Sequence, residues 1–132
     1  MLKVAAYARV STDKEDQINS LTNQREYFES YIKSNGDWEF VEVYFDEGIT
    51  GTQTKKRKGF NHMINDCKNG KIDLILTKEV SRFARNTVDT LNYTRMLKEY
   101  DVGVFFINDN IDTCQNDGEF RLAIMASVAQ EE

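Results

Sequence analysis

Residues 2 to 11 read LKVAAYARVS, and the chemistry in that stretch is carried by Tyr7, Arg9 and Ser11. Side chains alternate along an extended chain, so these three would share one face, with Val4, Ala6, Ala8 and Val10 on the other. An arginine and a serine emerging together at the end of a buried strand are either a polar site or an arginine reaching solvent beside a turn-capping serine. A serine hydrolase would need a basic partner. His62 is the only histidine, and there is no G-x-S-x-G turn, which argues against an esterase or protease triad.

Three further clusters bear on that choice. In the helical stretch that follows, Leu21, Phe28, Tyr31 and Ile32 define an apolar stripe whose middle turn holds Gln24 and Arg25. Gln24 either meets water near the helix end or faces the polar pocket of Ser11. In "LTKEVSRFARNT", Lys78, Arg82 and Arg85 are spaced i, i+4, i+7 and would stand on one helical face, where like charges repel unless an anion sits among them. A solvated basic face is the plain alternative. The segment Gly48 to Phe60, with the run Lys55-Lys56-Arg57-Lys58, reads as a basic loop that is either merely solvated or able to fold over a polyanion.

Taken together, a candidate nucleophile, Ser11, stands with five cations, Arg9, Arg57, Lys78, Arg82 and Arg85, which is the inventory phosphoryl transfer requires. Guanidinium forks match non-bridging phosphate oxygens bidentately and can take the place of metal ions in spreading charge. No cofactor is expected. Neither G-x-G-x-x-G nor a P-loop pattern is present, and Cys67 and Cys114 form no C-x-x-C pair, so neither a nucleotide fold, a zinc site nor a disulfide framework is supported. Both cysteines are expected reduced, in or near the core.

These residues need a scaffold. With 132 residues, 40% hydrophobic and 30% charged, the chain can bury one core and not two. Apolar runs at Leu2–Val10, Phe40–Phe45, Ile72–Thr77 and Val102–Ile107 alternate with helix-like stretches at Ser20–Lys33, Gly59–Lys68 and Thr87–Glu99, with Asn86 or Thr87 as N-cap of the last. This alternation predicts an α/β three-layer sandwich: a mostly parallel sheet of four or five strands with helices on both faces. Gly36, Gly70 and Gly103 fall in the helix-to-strand connections, where turns want them. The carboxyl ends of parallel strands are where such folds bind ligands, and Arg9 and Ser11 lie at one. The net charge of −5 at first disfavours a nucleic-acid partner, but residues 101–132 carry seven acids and one base, and the first hundred residues are nearly neutral with clustered bases. No apolar run is long enough to span a membrane and no signal-peptide layout is present, so a cytoplasmic location is expected.

Seven segments, in order, resemble the catalytic domain of serine recombinases, most of all the large serine integrase and transposase branch: YARVST at 7–12, SLTNQ at 20–24, DEGITGT at 46–52, RKGF at 57–60, IDLILTKEVSRFARN at 72–86, NIDT at 110–113 and ASVAQEE at 126–132. The resemblance implies that Ser11 attacks a DNA phosphodiester to give a 5′-phosphoseryl link and a free 3′-hydroxyl. It implies that Arg9, Arg82 and Arg85 sit on the scissile phosphate, with Arg57, Lys78 and Gln24 assisting and Tyr7 in the supporting site. Ser81 departs from the aspartate usual in the resolvase and invertase branch, so it is taken as site-adjacent only. Thr50 and Lys58 are smaller departures.

The resemblance further implies dimers and a synaptic tetramer that exchanges strands by subunit rotation. It gives weight to the final segment, DGEFRLAIMASVAQEE, in which Phe120, Leu122, Ile124, Met125, Val128 and Ala129 spread apolar surface over more than one helical face. A long helix beginning near residue 117 and shared with a second subunit is expected, cut short at Glu132, with separate C-terminal domains binding DNA. Two rivals stand beside this: a DNA-associated oligomerisation module with a silent Ser11, and a phosphate-dependent enzyme acting on small molecules.

Overall fold

The computed structural model of the chain describes residues 1–11, 20–48, 57–84, 86–115 and 117–130. Five strands form one sheet: β1 (Leu2–Ser11), β2 (Trp38–Gly48), β3 (Leu74–Thr77), β4 (Gly103–Phe106) and β5 (Ile111–Asp112). Their order is β2-β1-β3-β4-β5, parallel except for the last pairing, β4 with β5. Between them run α1 (Leu21–Lys33), α2 (Lys58–Lys68), α3 (Val80–Phe83), α4 (Thr87–Lys98) and the C-terminal α5 (Gly118–Gln130).

The alternation of β1 divides the core in two. Val4, Ala6 and Ala8 face α1, packing with its Phe28 and Ile32 and with Val43, Leu74 and Leu76. Ala5 and Tyr7 face the other layer, where Phe60 and Met63 of α2, Phe83 of α3, Leu91 and Leu97 of α4, and Leu122 and Ala126 of α5 close a second cluster. One helix thus covers one face and four cover the other among the described residues. The three-layer α/β expectation holds. The added strand β5 has only two residues, too few to leave a period in sequence, and it is turned back by Asn110 at φ 53°.

Local signals explain most boundaries. The Ser20 hydroxyl accepts from the Asn23 amide and the Asn86 side chain from the Asp89 amide, so both helices begin at a residue suited to N-capping. Gly70 has φ 77° just past α2, a left-handed helix end that glycine adopts without strain. Gly103 has a different purpose from the turn expected of it. The turn out of α4 puts Asp101 at φ 61°, while Gly103 opens β4, where a Cβ would lie 2.1 Å from the Cys114 sulfur. The cysteines also divide: Cys67 is buried, its thiol pushed up to about 12 by burial and then by Asp66, whereas Cys114 is exposed rather than in the core.

Candidate active site

The strands do not end together. β1 pairs with β2 as far as Ser11 opposite Gly48, but with β3 only over Val4–Ala6. Beyond Ala6, β1 therefore continues with a strand partner on one side, and side chains fill part of the other. The Arg9 carbonyl accepts from Gln24 Nε2 at 3.4 Å and lies 3.5 Å from Arg82 Nη1. Gln24 is buried, so it does not simply meet water, and it ties α1 to the end of β1. The Ser11 side chain lies outside the described residues, and with it the expectation that Gln24 shares its pocket.

Lys78 and Arg82 do not stand on one helical face as their spacing suggests. Lys78 precedes α3, Glu79 is extended at φ −143° and ψ 151°, and α3 is a four-residue turn that stops at Ala84, extended at φ −144° and ψ 173°. Asn86, itself extended at φ −149° and ψ 173°, caps a fresh helix, so α3 and α4 are separate helices rather than one. Two directions of approach result. Lys78 Nζ sits 4.8 Å over the Tyr27 ring of α1, and Arg82 reaches β1 while its Nε lies 3.6 Å from Glu79. Arg82 is about one-third exposed (32%), and these long contacts leave it able to turn toward an anion. Ser81 is exposed, on the rim of a cleft shared with Glu79, Asn86, Thr87 and Met125. Arg85 lies outside the described residues, as do Lys55 and Lys56.

Arg57 is not part of a loose basic loop. Its guanidinium stacks 3.7 Å over the Phe60 ring and donates to the Tyr7 hydroxyl at 3.3 Å and to the Phe83 carbonyl. Tyr7, itself buried, donates to Asp46 Oδ2 at 2.7 Å. Burial raises the Tyr7 phenol well above its ordinary value, outweighing the nearby Arg57 charge, so the hydroxyl stays a donor. Asp46 was not singled out by residue type. Its Oδ1 accepts from the Gly59 amide at 2.8 Å and its Oδ2 from the Phe60 amide at 2.9 Å. It thereby caps α2, whose own N-cap residue, Arg57, makes no capping bond. The available signal was a helix start lacking Ser, Thr, Asp or Asn, which must draw its cap from elsewhere. Gly59 belongs to the same joint, since a Cβ there would fall 1.9 Å from the Phe45 carbonyl oxygen.

This Tyr7–Asp46–Arg57 network fastens β1, β2, α2 and α3 at the end of the sheet where Arg9 and Arg82 emerge. Replacing Asp46 by asparagine removes the charge and at least one of its three bonds, so stability should fall by about 1–2 kcal/mol. Thermal unfolding followed by circular dichroism checks it. An unchanged midpoint would mean the cap carries no net energy.

The fold and the basic strand end define a single-sheet α/β domain with cations at the carboxyl edge. Residues 4–132 match the family described as Resolvase, N terminal domain, and the chain belongs to that family. It is 30% identical over 132 residues to the transposon Tn917 resolvase of Enterococcus faecalis, covering 98% of this chain and 62% of that protein. Among solved structures it resembles the N-terminal catalytic domain of TP901-1 integrase (TM-score 0.80, 26% identity, 97% of this chain and 94% of that one). It also resembles a resolvase family site-specific recombinase from Streptococcus pneumoniae (TM-score 0.77, 32% identity, 98% and 87%). The chain spans less than two thirds of the length of the resolvase it matches.

Proposed function

We propose that this chain is the catalytic domain of a site-specific DNA recombinase whose nucleophile is Ser11. The observation that carries the reading is the meeting of Gln24 and Arg82 on the carbonyl of Arg9, two residues before Ser11. Family membership supports the same chemistry. The serine oxygen bonds to phosphorus as the bond from phosphorus to the 3′-oxygen breaks. A 5′-phosphoseryl link and a free 3′-hydroxyl result, the serine proton leaving and the 3′-oxygen gaining one. Arg9, Arg82 and Arg85 spread the charge that builds on the non-bridging oxygens, with Lys78, Arg57 and Gln24 in support. Tyr7 holds Arg57 and the strand end in place.

Phosphate contacts by a few cations carry no base sequence, so site choice belongs to other domains of a longer protein. The apolar residues Phe120, Ile124, Met125 and Val128 of α5 stay exposed while Leu122 and Ala126 are buried, which supports a role for this helix in joining subunits into dimers and a synaptic tetramer. No helix among the described residues is long and apolar enough to cross a membrane.

The test is to incubate the full-length protein with DNA bearing its recombination site and a nick beside the scissile bond. A protein–DNA adduct on the 5′ end, paired with a 3′ end that a polymerase extends, is expected. Stable complexes on DNA with no covalent adduct would replace this reading with that of a non-catalytic assembly module.

A further inference from the structure

The junction between β3 and α3, which carries Lys78, Ser81 and Arg82, is held from one side by the turn at residues 107–110. The Ile107 amide donates to the Thr77 carbonyl at 2.9 Å and the Asn108 amide to the Lys78 carbonyl at 2.8 Å. Asp109 Oδ2 accepts from the Val80 amide, also at 2.8 Å. Three successive bonds thus set the backbone path through the junction. The turn is gripped in its own right by α5: Arg121 Nη1 donates to the Asn110 carbonyl at 2.5 Å and Nη2 to the Asp109 carbonyl at 3.2 Å.

Packing holds this turn at its first residue, Ile107, which lies against the α1-side core; the remainder, Asn108–Asn110, borders open space. One cleft, lined by Asp109, Ile111, Arg121, Ile124 and Met125, opens beside it with a volume of about 370 Å³. A second, of about 200 Å³, opens where Asp109 meets Val80, Ser81 and Asn86. With open space on both flanks of Asp109, hydrogen bonds carry much of the positioning beyond Ile107. Arg121 supplies two of them from a different element.

We propose that Arg121 is a positioning residue for the basic strand end: by clamping the 107–110 turn it sets the placement of Lys78 and Arg82, coupling the seat of α5 to the candidate active site. The coupling to catalysis rests on the recombinase reading; the structural link from Arg121 to Val80 does not. A partner subunit that shifts α5 would move the Arg121 fork and, through Asp109, the amide that opens α3.

Two measurements separate these. Amide shifts of Val80–Phe83 in this chain should move on Arg121→Met and move in the same direction on Asp109→Asn, with Arg121→Lys intermediate. In the full-length protein, Arg121→Met should lower the single-turnover cleavage rate at saturating DNA by about tenfold, leave DNA affinity and thermal midpoint within error, and be partly rescued by Arg121→Lys. Unmoved amides overturn the link whatever the protein does to DNA. Moved amides with cleavage within twofold of wild type overturn the positioning of Lys78 and Arg82. If the wild-type protein forms no adduct at all, the recombinase reading falls and the amide shifts alone decide the link.

Discussion

Replacing Ser11 by alanine in the full-length protein should abolish the covalent protein–DNA adduct of the proposed reaction while leaving DNA binding in place. If Ser11 is the nucleophile, its loss leaves no route to a seryl ester, so the effect should be complete rather than graded. Binding should survive, because on the proposed reading affinity for DNA comes from cations and from sequence-reading surfaces that do not depend on the serine hydroxyl. Folding should survive as well, since the backbone pairing of Ser11 with Gly48 needs no side chain. The measurement is denaturing electrophoresis of labelled nicked substrate beside a mobility-shift titration. An adduct persisting in the variant would assign the nucleophile to another residue.

Arg82→Ala should lower single-turnover cleavage on the order of 10²-fold, the usual size for losing one preorganised charge stabiliser. Its geometry favours a direct part over a structural one. The side chain is about one-third exposed, its ion pair with Glu79 spans 3.6 Å, and its donation to Arg9 is at 3.5 Å, so little stability is lost with it. Thermal midpoint should therefore move by only a degree or two while the rate collapses. Lysine should rescue poorly, because a point charge does not reproduce the two-pronged guanidinium contact. Cleavage within about twofold of wild type would reduce Arg82 to a solvated base.

Much of the fold was legible because its causes are local. The alternation in β1, the capping residues Ser20 and Asn86, and the apolar stripe of α1 act over a few residues each, and those elements appear where their signals stand. Residues whose partners are distant in sequence were harder. Asp46 serves a helix that starts twelve positions later, and Arg57 stacks on Phe60 to reach a carbonyl at Phe83, so a basic run that reads as a floppy loop conceals a structural arginine. Regular spacing also misled at Lys78 and Arg82. A period of i, i+4 presumes one continuous helix, and the extended residues Glu79 and Ala84 break it. Gln24 stood out for the opposite reason: a polar residue on an apolar stripe is conspicuous in sequence, and burial against the end of β1 is its cause.

The overhang of β1 beyond β3 has a consequence for how the domain opens. Residues 7–11 pair with 44–48 as a two-stranded ribbon, and an isolated ribbon of that size is marginal in water. The ribbon is therefore a local cooperative unit that can part from the sheet at lower free energy than the Val4–Ala6 core, which has a strand on each side. Tyr7 and its bond to Asp46 mark the point where that unit is pinned. Protection of backbone amides against solvent exchange should step down after Tyr7. A phosphodiester held between Arg9 and Arg82 would take the place of the missing third strand, raising protection of the ribbon to that of the core behind it.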